Sequence, residues 1–246
     1  MRVIIALVCF WACRVEPMSV IRSPHVMAAT LCSGGVHTEE NFIPPQLVIE
    51  LRQEVRRLQG EGRFKTGTSH MSDGRQDMLR SANTCTPDME SDAFIVLYDK
   101  LDTVRASLGP PLGREHAAGM EAVYVVYPPG GYYRSHLDSV AGVDMAGSGC
   151  RSVSFICYLA ENGWTESDGG ALRVHGQLPP ELDRWDDDEW EDDTDQNLRS
   201  IDILPNNGRL VLFDSKIVRH EVLPTMRERV CIVGWFRNSV CDAPVA

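Results

Sequence analysis

In the first half of the chain, apolar residues recur at helical spacing. From Pro44 onward, Leu47, Val48, Leu51, Val55 and Leu58 alternate with Arg, Glu and Gln, one stripe of a 3.6-residue period. Pro44 and Pro45 suit the start of that helix, and Gly60 and Gly62 its end. A second amphipathic helix is predicted over about 91–108, with Phe94, Leu97, Leu101 and Val104 on one face and a stop at Gly109-Pro110-Pro111. After residue 120 the pattern changes. Short runs of Val, Ile, Phe and Tyr broken by Gly, Pro and Asn predict strands at 121–127, 151–159, 171–175, 201–204, 209–213 and 230–236. Residues 14–42 and 65–85 read as irregular. Short strands preceded by helices predict an α+β, mainly β fold, a sandwich or jelly roll buttressed on one side by N-terminal helices.

Composition narrows this picture. At 246 residues and 43% hydrophobic, the chain can build one large domain or two small ones. The reading adopted is a lead-in over 1–42 and one domain over 43–240, with its core at 120–238. Against 35 Asp and Glu stand 24 Lys and Arg, a net charge of -11 that argues against binding nucleic acid backbones. That charge is local. Residues 181–195 hold ten acids and one base, Arg184, so two net negative charges remain for the rest. Such a run is expected to be a solvated loop, with docking of a basic partner through Trp185 and Trp190 as the alternative.

The eight cysteines contain no CxxC pair, which excludes a zinc ribbon or thioredoxin motif, and reduced thiols are the expectation. Cys157 and Cys231 lie in apolar runs where free Cys acts as a small buried hydrophobe. Residues 3–13 are apolar but too short to span a bilayer. They match a signal-peptide core in length, yet Arg14 and Glu16 follow with no clear cleavage site. A monomer without a transmembrane span, in the cytoplasm and/or nucleus, is expected. The secretory pathway is the alternative if residues 1–17 act as a signal.

Chemistry concentrates after residue 127. In a strand, residues i and i+2 share a face, so His136 and Asp138 offer an imidazole nitrogen and a carboxylate oxygen to one point. His220, at the start of a later strand, is the candidate third ligand. Two His and one carboxylate leave open positions on a metal, as in non-haem Fe(II) oxygenases, and zinc hydrolases use similar donors. Nine residues beyond His220, Arg229 heads an apolar strand. A guanidinium pointing inward there would be a costly buried charge without a carboxylate partner, and a dicarboxylate cosubstrate is a natural one. The alternative is a surface arginine paired with Glu228 or Glu221.

Several motifs occur together and in order: Tyr127-Pro-Pro-Gly-Gly-Tyr-Tyr133-Arg-Ser-His136-Leu-Asp138, Tyr158-Leu159, Gly169-Gly170-Ala-Leu172-Arg173, His220-Glu-Val-Leu-Pro224, and Arg229 followed by Trp235. This set resembles the prolyl 4-hydroxylase superfamily of Fe(II)/2-oxoglutarate dioxygenases, most of all its hypoxia-inducible-factor, oxygen-sensing branch. Similarity covers about 120–238 and, more loosely, the helices from 44 onward. The resemblance implies a double-stranded β-helix core and His136, Asp138 and His220 as iron ligands. Arg229 and Tyr158 would bind the distal carboxylate of 2-oxoglutarate. Tyr127, Tyr133 and Trp235 would line the cosubstrate and substrate pocket, and Arg151 would contact substrate. It further implies O2 as oxidant, ascorbate as reductant, succinate and CO2 as coproducts, and a prolyl residue in a protein as substrate. Collagen-type relatives carry Lys in place of Arg229, which points to the sensor-type branch.

Alternatives are the same chemistry on a free amino acid or small molecule, or a catalytically silent jelly-roll binding module. The dry wall of the site is expected from Phe155, Leu172, Val211 and Phe213. Two departures stand: the 127–136 loop is one residue shorter than in the animal sensors, and the acidic insert stretches the interval from Asp138 to His220. Residues 69–80 fall where relatives carry a mobile substrate-covering loop, and His70 and Asp73 read here as a plain surface loop.

Overall fold

Two antiparallel sheets and a helical layer order the chain in a computed structural model that describes residues 23–66, 69, 70, 76, 77, 79–139, 150–176 and 200–239. The helices are α1 (Pro24–Cys32), α2 (Pro45–Gly60) and α3 (Asp92–Leu112). The early strands are β1 (His37–Glu39), β2 (Lys65–Thr66), β3 (Ser69–His70), β4 (Gln76–Asp77) and β5 (Asn83–Cys85). Next come β6 (Glu121–Tyr127), β7 (Tyr133–His136), β8 (Arg151–Tyr158) and β9 (Leu172–Val174). The last are β10 (Ile201–Ile203), β11 (Leu210–Asp214), β12 (His220–Val222) and β13 (Arg229–Arg237).

A seven-stranded sheet runs in the order β1-β11-β8-β13-β6-β5-β2, and a four-stranded sheet in the order β10-β9-β12-β7. The larger sheet is covered on both faces, which is why β8 and β11 are buried almost continuously rather than at alternate positions. Tyr124, Val126, Phe155, Cys157, Leu212 and Ile232 turn outward onto Leu51, Leu58, Leu97 and Leu101 of the helices. Their neighbours Val125, Tyr127, Ile156, Tyr158, Val211, Phe213 and Cys231 turn inward onto Leu172, Val174 and Val222 of the smaller sheet. Facing sheets with helices on one outer face form the expected jelly roll. Among the described residues, no helix is long and apolar enough to cross a membrane.

The structure departs from the sequence pattern in specific places. Part of the expected irregular lead-in is ordered: α1 buries Met27, Ala28 and Leu31, and β1 pairs with β11 at the sheet edge. Nine residues with little amphipathic contrast leave too weak a periodic signal to be seen. The expected loop over 65–85 supplies β2 and β5 to the large sheet. Helix α3 continues through Pro110 and Pro111 and stops one turn later at Gly113, whose φ of 65° is left-handed. Two prolines in the last turn each forgo one donor, and the helix keeps the buried Leu108. Phe155, expected in the wall of the site, faces the helices, and Ile156 takes the inward position.

Cys32, Cys85, Cys157 and Cys231 are free, but Cys150 is disulfide-bonded, against the expectation of reduced thiols throughout. Pairing depends on two sulfurs meeting in space, which spacing along the chain does not report. The acidic run 181–195, Asp73 and residues 1–22 lie outside the described residues.

Candidate active site

Strand pairing brings the candidate ligands together. His220 opens β12 directly opposite His136, the last residue of β7, so both side chains leave the small sheet on one face with ring centres 4.3 Å apart. Asp138 lies past the end of β7, at a bend, so it reaches the same point from the turn and not by strand alternation. Its two oxygens lie 3.5 Å from His136 Nε2 and 3.8 Å from His220 Nε2. One ligand atom from each of the three residues falls within 4.8 Å of the others, and among the described residues no other such cluster occurs.

Backbone carbonyls set the orientation of both rings. His136 Nδ1 donates to the Arg134 carbonyl at 2.8 Å, and His220 Nδ1 donates to the Val218 carbonyl at 3.0 Å. Those bonds place the proton on Nδ1 and leave both Nε2 atoms, on the Asp138 side, free to act as ligands. Tyr133 stacks on His136 at 3.8 Å, and Phe213 packs 4.6 Å from His220. The Ser154 hydroxyl donates to Asp138 Oδ2 at 2.6 Å. Burial opposes the charge on Asp138, yet His220, His136 and Ser154 together hold its carboxyl well below the usual range. Burial pushes His220 down to about 4. An ionised carboxylate beside imidazole lone pairs is the donor set a divalent cation requires.

The same cavity, about 330 Å³, ends on Arg229. Arg229 is 1% exposed, and among the described residues no carboxylate meets its guanidinium: Glu221 is turned away to His175 at 3.2 Å, and Glu228 is exposed. The surface-arginine alternative is therefore not what the fold builds. The rings of Tyr127 and Tyr158 lie 4.9 and 5.0 Å from Arg229 Cζ. Among the described residues, no group in full hydrogen-bond geometry meets the buried Arg229 Nε and Nη2 or the Tyr158 hydroxyl, although the two side chains are close enough to interact. Buried donors of this kind cost free energy unless a ligand meets them, and a carboxylate matches the forked geometry of a guanidinium. The residues present thus fit a dicarboxylate whose far end lies on Arg229 and whose near end lies toward the His–Asp–His cluster.

At the mouth, Arg151 Cζ lies 3.5 Å from the centre of the Trp235 ring and its Nη2 is 2.8 Å from Glu121. All nine residues singled out from the sequence come together: eight line the cavity, and Tyr158 packs behind Arg229. Sequence reasoning missed Ser154, Arg80 and Cys231. Arg80 lines the mouth over the Tyr133 ring. Ser154 had a readable signal, a polar break in an apolar strand on the same face as Tyr158. Cys231 had one as well, its place two residues beyond Arg229 on the same strand face, and Arg80 had none.

Comparison with known proteins agrees with this geometry. Residues 122–237 match the family model of the 2OG-Fe(II) oxygenase superfamily. A Pseudomonas putida prolyl-4-hydroxylase structure is 28% identical, with 88% of this chain and 100% of that chain covered at a TM-score of 0.69. A Trichoplax adhaerens prolyl hydroxylase, solved with a hypoxia inducible factor oxygen degradation domain peptide, is 21% identical over 87% of this chain and 90% of that one, TM-score 0.67. The α-ketoglutarate-dependent epimerase SnoN of nogalamycin biosynthesis shares the fold at 12% identity, covering 90% of this chain and 85% of that one, TM-score 0.64. Fold, site and family match define an Fe(II)- and 2-oxoglutarate-dependent oxygenase. Within that class, the match to a prolyl 4-hydroxylase structure supports the prolyl hydroxylase superfamily.

Proposed function

We propose that this protein hydroxylates a prolyl residue in a protein substrate. The observation that carries the reading is Arg229, buried with Nε and Nη2 unpaired at one end of a cavity whose other end is the His136–Asp138–His220 cluster. In this reading those three residues hold Fe(II), and Arg229 with Tyr158 anchors the distal carboxylate of 2-oxoglutarate. When bound, the metal and cosubstrate supply the oxidising power, with O2 consumed and succinate and CO2 released. Tyr133 keeps the His136 ring in place, and Tyr127 walls the cosubstrate on the Arg229 side. Ile156, Leu172 and Val222 exclude water. Arg151 and Trp235 meet the substrate at the mouth, where ascorbate in solution would restore Fe(II) between turnovers.

A peptide substrate is supported by the space outside the mouth. The cavity adjoins a groove of about 720 Å³ through the shared residues Arg80, Val123, Arg151 and Trp235, room for chain flanking a target residue. The similarity to the Pseudomonas putida prolyl-4-hydroxylase supports the same choice. Arginine at 229 supports the sensor-type branch, and the wrap of the two sheets is taken as its double-stranded β-helix. The Cys150 disulfide favours an oxidising compartment, the secretory alternative.

The test is succinate release from 2-oxoglutarate in the presence of Fe(II), O2 and proline-containing peptide pools, with hydroxyproline read by mass spectrometry. Peptide-stimulated, Fe(II)-dependent succinate is the expected result. No metal bound by the wild-type chain, and no succinate with any peptide pool, would overturn it. Stimulation by free amino acids alone would move the substrate to a small molecule.

A further inference from the structure

Arg229 carries five N–H groups, and the structure shows how each edge of the guanidinium is disposed. Its stem is backed by Gly170, at a φ of +68°, where a Cβ would come within 3.1 Å of Arg229 Cδ and 3.0 Å of the Thr225 side chain. Only glycine fits there without pushing the arginine forward. The Tyr127 and Tyr158 rings, 4.9 and 5.0 Å from Cζ, restrict sideways movement. What these neighbours leave open is rotation of the guanidinium plane, which decides whether the Nε/Nη2 edge or the Nη1 side meets an incoming carboxylate.

Cys231 closes that freedom. Two residues along β13 it projects from the same face, is fully buried, and its Sγ accepts Nη1–H from Arg229 at 3.3 Å. This is a side-chain hydrogen bond on the Nη1 side, while among the described residues no acceptor in full hydrogen-bond geometry meets Nε or Nη2. Sulfur is a weak acceptor. It can orient the guanidinium without neutralising it, whereas a carboxylate at the same position would satisfy the charge and compete with the ligand.

We infer that Cys231 is a positioning residue that turns the Nε/Nη2 edge of Arg229 toward the cosubstrate. The inference rests on the 2-oxoglutarate reading above and adds to it the edge that binds and the residue that selects it. Losing a hydrogen bond to so weak an acceptor corresponds to a loss of affinity of roughly three- to ten-fold.

The test is calorimetric titration of 2-oxoglutarate into the Mn(II)-loaded full chain, which reads binding without turnover, with Mn(II) affinity measured separately. C231A and C231V, which both remove the acceptor, are expected to raise the 2-oxoglutarate Kd by roughly three- to ten-fold. C231S, which keeps an acceptor, is expected to stay within about two-fold of wild type. Mn(II) affinity is expected to be unchanged in all three. C231V keeps the site filled with an apolar side chain and carries the test if C231A does not fold. Wild-type affinity in C231V, or C231S binding as weakly as C231V, would overturn the inference. A wild-type chain that binds Mn(II) but no 2-oxoglutarate would overturn the cosubstrate reading, and this inference with it.

Discussion

Single hydrogen bonds decide how the candidate site is aimed, and Ser154 is the clearest case. Its hydroxyl holds Asp138 Oδ2 at 2.6 Å and is itself 2.8 Å from the Ser215 hydroxyl. Ser154→Ala frees the carboxylate to rotate and is expected to weaken Fe(II) or Mn(II) binding by about ten-fold. Ser154→Thr should restore it, and direct metal titration checks both. Arg229→Ala acts at the other end of the cavity. Truncating one partner of a buried charged pair costs about 2–5 kcal/mol, so the 2-oxoglutarate requirement should rise by roughly 30-fold or more. Metal affinity in Arg229→Ala should be that of the wild type, and a 2-oxoglutarate titration read by succinate release, paired with a metal titration, separates the two effects. His136 and Asp138 were legible as a pair because they stand two residues apart. Ser154, sixteen residues away, acts on Asp138 only because β8 runs beneath the turn that follows β7.

Among the elements, β13 sets most of the geometry, since it pairs with both β6 and β8 and carries Arg229, Cys231 and Trp235. Gly234 lets it lie between them: a Cβ there would fall 2.2 Å from the Glu121 carbonyl oxygen and 2.2 Å from Phe155 Cζ. Gly234→Ala must move backbone in the middle of the large sheet. A loss of about 1–3 kcal/mol is expected, readable as a lower denaturation midpoint in urea. The segment after α3 is tied to the same sheet by His116, whose Nε2 lies 3.1 Å from Ser152 Oγ and whose Nδ1 lies 3.3 Å from the Arg105 carbonyl. Burial lowers the pKa of His116, the bond to the Arg105 carbonyl offsets part of this, and the charges of Arg114 and Arg105 lower it further. The unfolded chain takes up this proton near the ordinary histidine value of about 6.5, and the folded chain only at lower pH. Stability is therefore lost as pH falls below about 6.5. The thermal midpoint should drop between about pH 7.5 and 5.5, by less in His116→Gln, in paired melting curves.

At the scale of the whole molecule, the acidity is separable from the chemistry. Val174 and Ile201 are paired across β9 and β10, so the intervening chain, acidic run included, leaves and returns at neighbouring points of one sheet edge. Replacing 181–195 with a short Gly-containing turn removes nine of the net negative charges. It should leave the 2-oxoglutarate affinity unchanged and the thermal midpoint within about 2 °C. A loss of activity on one peptide substrate alone would instead assign the run to docking.

The amino-acid sequence by itself determined the four long strands β6, β8, β11 and β13 of the large sheet, the two main amphipathic helices, and most of the residues that carry the chemistry. Each of these is written in local periodicity or in a short motif, and local backbone geometry reads both directly. Only the tertiary structure decided that His220 lies opposite His136, that Asp138 arrives from a turn, and that Arg229 keeps two donors unpaired. The same holds for the Cys150 disulfide, the short α1, and the wall residue being Ile156 instead of Phe155. Strand register across eighty residues, the face a strand turns inward, and the partner a buried donor lacks are properties of packing. They exist only once both sheets and the helical layer are in place.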